Sequence, residues 1–171
     1  LGISIDRNVG DVELRGVDLQ VGWQANDWIV VNGSASYNNS ELKDDLRTSA
    51  TAVLSTAGKQ LVETPEWTVA GRLEMRPFEG FNLGFEGKFV DERFTTDIND
   101  AKVEDFTVYS LDAGYNFVFD GVKAMRVQLN VYNLFDEQFF GSLSTRFTAA
   151  QNPSLSLGAP RTVSLSLQTR F

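Results

Sequence analysis

Apolar and polar residues take turns along nearly the whole chain with a period of two, the spacing that sends alternate side chains to opposite faces of a β-strand. The alternation predicts eight strands, at Gly2–Arg7, Val12–Trp23, Trp28–Asn38, Glu66–Arg76, Phe81–Glu92, Phe106–Phe119, Met125–Phe135 and Arg161–Phe171. A helix is allowed in only one connecting segment, Ser49 to Gly58, which is rich in Ala, Ser and Thr. The apolar phase of the second strand slips between Leu14 and Val17 across Gly16, which predicts a β-bulge there.

The connections fall into two length classes that alternate along the chain. Gln24–Asp27, Pro77–Gly80 and Asp120–Ala124 are short and rich in turn formers, as hairpin connections are. Asn39–Pro65, Arg93–Asp105 and Asp136–Pro160 are far longer than the usual connection in a compact soluble domain. Short turns on one side and long loops on the other are the layout of a transmembrane β-barrel, whereas a soluble sandwich has no reason to sort its loops by parity.

Each strand sets an apolar face against a wet one. In the last, Val163, Leu165, Leu167 and Phe171 oppose Thr162, Ser164, Ser166, Gln168 and Arg170; in the one before, Val127, Leu129, Val131 and Phe135 oppose Arg126, Gln128, Asn130 and Tyr132. Period alone does not say which face looks inward, but aromatic placement does. Trp23 and Trp28 flank the first short turn, Phe78 and Phe81 the second, and Phe117 and Phe119 precede the third, while Tyr37, Trp67, Phe89, Phe94, Phe106, Tyr109 and Phe135 gather at the opposite strand ends. Two such belts match the aromatic girdles of the two membrane interfaces, with Trp23, Trp28, Trp67, Phe81 and Phe119 as leading candidates.

Composition narrows the chemistry. The 171 residues carry 15 Lys and Arg against 23 Asp and Glu, a net charge of -8, which argues against a nucleic-acid partner. With no Cys and no His, the chain lacks disulfides, thiolate metal sites, thiol nucleophiles and the usual general base. The carboxylates are scattered rather than paired, so neither a catalytic triad nor a glycosidase dyad can be assembled, and the chain reads as no enzyme. The longest uninterrupted apolar run, Trp28 to Val31, is far below the ~20 residues of a spanning helix.

Several segments resemble the C-terminal strands of TonB-dependent outer-membrane receptors. They are Asn133-Leu134-Phe135-Asp136 followed by Phe139-Phe140-Gly141, the ending Gly158-Ala159-Pro160-Arg161-Thr162-Val163 through to Phe171, and Asn8-Val9-Gly10 followed by Leu14-Arg15-Gly16-Val17-Asp18-Leu19. The resemblance implies an all-β fold of antiparallel transmembrane strands, with residues 1–171 as about eight C-terminal strands of a roughly 22-stranded barrel. It further implies a bacterial outer-membrane location and uptake of a scarce small-molecule solute such as a ferric siderophore, haem, cobalamin or a carbohydrate. The implied partners are membrane lipid, the rest of the barrel with its plug, the TonB complex through N-terminal segments not present here, and the barrel-assembly machinery. No cofactor and no metal site is implied. The terminal strand resembles the β-signal read by that machinery, through Val163, Leu165, Leu167 and Phe171.

Other candidates rest on the residues themselves. Arg72, Glu74, Arg76, Glu86, Lys88, Asp112 and Arg126 form a mixed-sign ladder on the wet face, fit to line a solute path, contact a plug or simply pair across strands. In the last long loop, Phe139, Phe140, Arg146, Phe147 and Gln151 suit a flat or anionic ligand, with loop self-packing as the plainer explanation. Asp44 with Asp45, and Asp97 with Asn99 and Asp100, lack the spacing of a calcium loop and read as solvated charges. Two other classes stay open: a complete eight-stranded outer-membrane barrel, and a client segment captured during barrel assembly.

Overall fold

The computed structural model describes residues 10–49, 51–119 and 122–170. The strand expected at Gly2–Arg7 and the terminal Phe171 lie outside the described residues, and of Phe119 only the backbone is described. The chain is all-β. Its strands are β1 (Val12–Asn26), β2 (Ile29–Leu42), β3 (Leu46–Arg47), β4 (Val53–Leu54), β5 (Trp67–Met75), β6 (Phe81–Val90), β7 (Arg93–Phe94), β8 (Lys102–Val103), β9 (Phe106–Phe119), β10 (Val122–Tyr132), β11 (Phe140–Ser144), β12 (Ser154–Leu157) and β13 (Thr162–Arg170).

The seven long strands make one antiparallel sheet in the order β1-β2-β5-β6-β9-β10-β13, and the short ones pair as ribbons β3-β4, β7-β8 and β11-β12 within the connections. Because every long strand pairs with the next long strand in sequence, the meander puts the three short turns at one end. The three long loops, residues 43–66, 91–105 and 133–161, stand together at the other. Among the described residues the sheet does not close on itself, and β1 and β13 are its two edges.

Register aligns chemistry across all seven strands. Trp23, Val31, Leu73, Phe85, Leu111, Val131 and Val163 form one continuous apolar row. Directly behind it, Glu74, Gly84, Asp112, Asn130 and Ser164 form a polar row on the opposite face. Burial is inverted relative to a soluble protein: Leu19 is 59% exposed and Leu165 73%, while the buried apolar residues Leu42, Leu46, Val90, Val103 and Val108 all lie in the long loops or the strand ends leading into them. A continuous exposed apolar band of this extent is tolerated in lipid, where the surroundings are as apolar as the side chains.

Three expectations are corrected. No bulge occurs at Gly16, because β1 and β2 stay in register from Val12 opposite Leu42 to Gln24 opposite Val30 and shift only between Gln24 and Asn26. The phase change is instead a change in what the faces carry: Val17, Leu19 and Val21 share a face with Arg15 and Glu13 above them, while Leu14 lies on the polar face opposite Ser40. It falls beside Tyr37, Val17's register partner, whose ring packs on Trp67 at 4.9 Å. Above that ring pair the outward face is charged, and Lys43 Nζ bridges the carboxylates of Glu13 and Glu41 at 2.7 Å each. Glycine is required at position 16 because a Cβ would stand 2.6 Å from the Tyr37 carbonyl oxygen.

The segment expected as a helix, Ser49 to Gly58, carries β4 of the β3-β4 ribbon, and its turn is held by Ser49 Oγ accepting from the Thr51 and Ala52 amides. A serine side chain that caps backbone amides locally competes with helix formation. Finally, β10 ends at Tyr132 rather than Phe135, because Asn133 adopts a left-handed φ of 52° that breaks the strand. Phe135 lies in the following turn and still meets Tyr109 edge-on at 5.4 Å.

Candidate functional site

Two regions carry polar groups in a fixed arrangement: the polar wall of the sheet and the laced loops above it. On the wall, Arg72 Nη2 donates to Asp112 Oδ1 at 2.7 Å and Nη1 lies 3.7 Å from Glu86, while Arg76 pairs with Glu74 at 2.6 Å. Arg126 is held differently. Its guanidinium donates to the side-chain oxygens of Asn82 at 3.0 Å, Asn116 at 3.1 Å and Gln128 at 3.1 Å, drawn from β6, β9 and β10. Two glycines make room for these networks, since a Cβ at Gly84 would collide with Arg72 and Asp112, and one at Gly114 would lie 2.6 Å from Asn82 Oδ1 and 2.7 Å from Arg126 Nη2. At the turn end the wall shapes an open groove bordered by Arg72, Glu74, Arg76, Asn82, Asp112 and Arg126.

The long loops are joined through the middle one. The first loop reaches it where the Glu63 amide donates to the Phe94 carbonyl at 3.0 Å, and where Asn99 accepts from the Gln60 amide at 2.7 Å and donates to its carbonyl at 3.0 Å. The third loop reaches it where the Arg146 amide donates to the Thr95 carbonyl and the Asp97 amide to the Arg146 carbonyl. Asp100 adds a contact by accepting from the Ala149 amide at 2.9 Å, and Arg93 Nη2 donates to the Phe140 carbonyl at 2.7 Å. Inside the middle loop, fully buried Thr96 accepts from the Asp100 and Ala101 amides through Oγ1, which keeps the hub folded on itself. Burial pushes the Asp97 carboxyl up and the Arg93 guanidinium down, the latter opposed by the charge of Glu63. Lys102 is raised by its hydrogen bond to Glu92.

A third cluster closes the base of the last loop. Asn133 is fully buried; its Nδ2 donates to the carbonyls of Glu137 at 2.9 Å and Ala159 at 3.1 Å, and its Oδ1 accepts from the Glu137 amide at 2.8 Å. Asp136 Oδ1 accepts from the Arg161 amide at 2.8 Å. The motif Asn133-Leu134-Phe135-Asp136 thus ties the end of β10 to the approach to β13 across a sequence separation of 26 residues. That role was not legible in the sequence, because the partners are distant backbone groups.

The loop residues expected to meet a ligand make contacts within the loops and to the strand ends. Phe139 stacks on Phe106 at 4.3 Å and presses on Gly158, and the Phe140 carbonyl receives Arg93. Arg146 Nη1 donates to Ser144 Oγ and the Thr145 carbonyl, and Gln151 Oε1 accepts from the Phe147 amide. Arg93 was missed by sequence reasoning, and Phe106 was read only as a belt aromatic; Arg93 sits 5.7 Å above the Phe106 ring, on which Phe139 of the third loop also stacks. Four of the residues weighed for calcium serve backbone amides: Asp44 takes Asp11, Asp45 takes Thr56 and Ala57, Asn99 takes Gln60, and Asp100 takes Ala149.

Trp23, Trp67 and Phe81 belong to the rows of the apolar face, with Trp23 61% exposed, and Trp28 and Phe81 both border the groove at the turn end. Val163, Leu165 and Leu167 project from the outermost strand and pair through their backbone with Val131, Leu129 and Val127. The other edge of β13 is free of strand partners among the described residues.

Comparison with known proteins agrees with this architecture. Residues 2–134 match the family model described as TonB dependent receptor-like, beta-barrel. No curated protein sequence matches. Among solved structures, the chain is similar to the siderophore receptor PiuA from Acinetobacter baumannii, with a TM-score of 0.75 and 19% identity over 94% of this chain and 22% of that one. It is also similar to BauA, the ferric preacinetobactin receptor of the same organism, at 0.72 and 20% over 94% and 22%. The ferric yersiniabactin uptake receptor FyuA from Yersinia pestis gives 0.73 and 13% over 94% and 24%. The chain therefore spans about a fifth to a quarter of the structures it matches.

Proposed function

We infer the function from the premise that the chain belongs to the TonB-dependent receptor-like β-barrel family. On our reading, residues 1–171 form a C-terminal part of the wall and surface loops of an outer-membrane active transporter that takes up a scarce solute, with a ferric siderophore as the leading class. The observation that carries this reading is the combination of an outward apolar band, a polar opposite face and three long loops laced together at one end only. The loops meet solute at the cell surface, and their shared hub lets capture by one be felt by the others. The polar wall gives a passing hydrophilic solute hydrogen-bonding partners in place of water. The apolar band faces lipid, and the strand with Val163, Leu165, Leu167 and Phe171 serves as β-signal during assembly. A plug and a TonB contact belong to the remainder of the receptor.

Deletion of the gene in its native host, followed by uptake of a panel of iron-loaded siderophores under iron limitation, tests the reading. The expected result is loss of uptake of at least one of them, restored by the intact gene and abolished by a protonophore. Unchanged uptake of every siderophore in the panel would overturn the siderophore assignment. Recovery of the protein from the aqueous fraction without detergent would overturn the transporter itself.

A further inference from the structure

Three hollows lie end to end along the polar face. The first, of about 390 Å³, opens nearest the long loops and is lined by Asp18, Gln20, Ser34, Ser36 and Thr68. The second, of about 470 Å³, shares Gln20 and Ser34 with the first and adds Gly22, Asn32, Ala70 and Arg72. Through Arg72 it meets the groove at the turn end, of about 710 Å³. One strand gives the direction, since Thr68, Ala70, Arg72 and then Arg76 follow one another from the loop end of β5 to its turn. Together the hollows make a track down β1, β2 and β5.

The side chains set this strip of wall apart. Along its upper part they are short, with Gly22 opposite Asn32 and Ala70 opposite Ser34. From β5 to β10 long side chains lie across neighbouring strands instead, as Arg72 reaches Asp112 and Arg126 reaches Asn82. Hydrogen bonding divides the wall in the same way. Asn82 and Asn116 accept from Arg126, Gln128 bonds both Arg126 and Asn130, and Asn130 donates to Ser164. By contrast, the side chains of Gln20, Asn32, Ser34 and Thr68 make no hydrogen bond among the described residues. Asn32 and Ser34 stand on β2 between β1 and β5, so strands added at the sheet edges do not cover them.

We propose that this track is the path by which the solute crosses the barrel, with Thr68, Ser34 and Asn32 as successive transit contacts. This rests on the transporter reading above and adds which side of the barrel carries the solute. A hydrophilic solute leaving the loops sheds water, and unbonded amides and hydroxyls replace those bonds without first giving up bonds of their own. An amide already held by a guanidinium offers no such exchange. The free groups can all donate to oxygen, so the track suits a solute whose surface is rich in carbonyl and hydroxyl oxygens. Two charged groups on the track are already bonded: Asp18 accepts from Ser36 Oγ at 2.6 Å, and Arg72 pairs with Asp112 at 2.7 Å. Contacts that are weak and repeated let a solute leave as well as enter, which conduction requires.

The test uses Ser34→Cys in the full-length receptor with any other cysteine replaced, and Ser164→Cys on β13, beyond the charged networks, as its control. The cells take up the iron-loaded siderophore identified by the deletion panel, and a bulky maleimide is attached during energised uptake and confirmed by mass. Unlabelled Ser34→Cys is expected to transport like wild type. Its label is expected to lower the uptake rate about tenfold with surface affinity unchanged, while the label at Ser164→Cys leaves both near wild type. Asn32→Cys gives the same test one row nearer the turn end and should behave as Ser34→Cys does. Uptake unaffected by the label at Ser34→Cys would overturn the proposal, as would an equal block from both positions. A Ser34→Cys thiol that never labels during uptake counts against it too, because a path that admits the solute admits the reagent. Loss of surface affinity at Ser34→Cys would assign that residue to capture instead. A wild-type receptor that takes up no siderophore of the panel would overturn the underlying reading, a result distinct from all of these.

Discussion

At Asn133 a single side chain does what a longer structural element would otherwise have to do. Its amide holds both the turn after β10 and the approach to β13, and its backbone adopts the left-handed conformation that Asn tolerates better than most residues. Asn133→Ala leaves the Glu137 and Ala159 carbonyls and the Glu137 amide without this partner and removes a buried side chain, and the expected destabilisation is about 1–2 kcal/mol. It is measured as a lower denaturant midpoint for protease resistance of residues 133–161 in the full receptor. Asn133→Asp keeps the acceptor but loses both donors, so it should recover only part of the loss. The wall glycines make the complementary case, in which the space left by a missing Cβ matters. Gly114→Ala forces the Asn82 and Arg126 side chains apart and is expected to cost about 1–3 kcal/mol by the same measurement.

Among elements, the loops are where order is concentrated. Long surface loops usually fluctuate independently, but here the first and third are both bonded to the middle one, and the middle one folds around buried Thr96. Thr96→Ala should therefore speed hydrogen exchange in all three loops together; acceleration confined to residues 91–105 would show that they are not coupled. Asp97 adds a pH dependence. Its carboxyl is raised by burial, so its contribution to loop stability is fully present below the ordinary carboxylate range and is lost as pH rises through the raised value. Loop protection, corrected for intrinsic exchange, is expected to fall as pH rises from the ordinary carboxylate range through the raised value of Asp97, and Asp97→Asn should flatten that slope.

For the molecule as a whole, the open sheet is the governing fact. Among the described residues both outer strands present backbone groups without strand partners, and in the hydrocarbon region each unsatisfied group costs several kcal/mol, so a stable spanning structure requires further strands at these edges. The intact denatured mass of the natural product from the membrane fraction is expected to be several times 19.0 kDa, in keeping with the 22% share of the matched PiuA structure. A mass near 19.0 kDa would instead favour a small barrel closing on its own strands.

Local periodicity determined a great deal of this protein. Strand faces follow from alternation every second residue, so the apolar row through Leu73, Phe85, Leu111 and Val131 and the polar row behind it are already implied by the residues. Loop length fixes which connections share an end once the strands form a meander. What periodicity misled about, at Gly16, was a true change in what the face carries: above the Tyr37–Trp67 pair the outward face bears the Glu13, Glu41 and Lys43 charges, so the apolar alternation ceases there. Only the tertiary structure decided how residues far apart in sequence meet. The Asn133 to Ala159 tie, the Asn99 to Gln60 link and the placing of Arg126 among amides from three strands depend on the register of the sheet and the paths of the loops. Such contacts are specified by which strands lie side by side and how far each is offset, and no local pattern of residues encodes either.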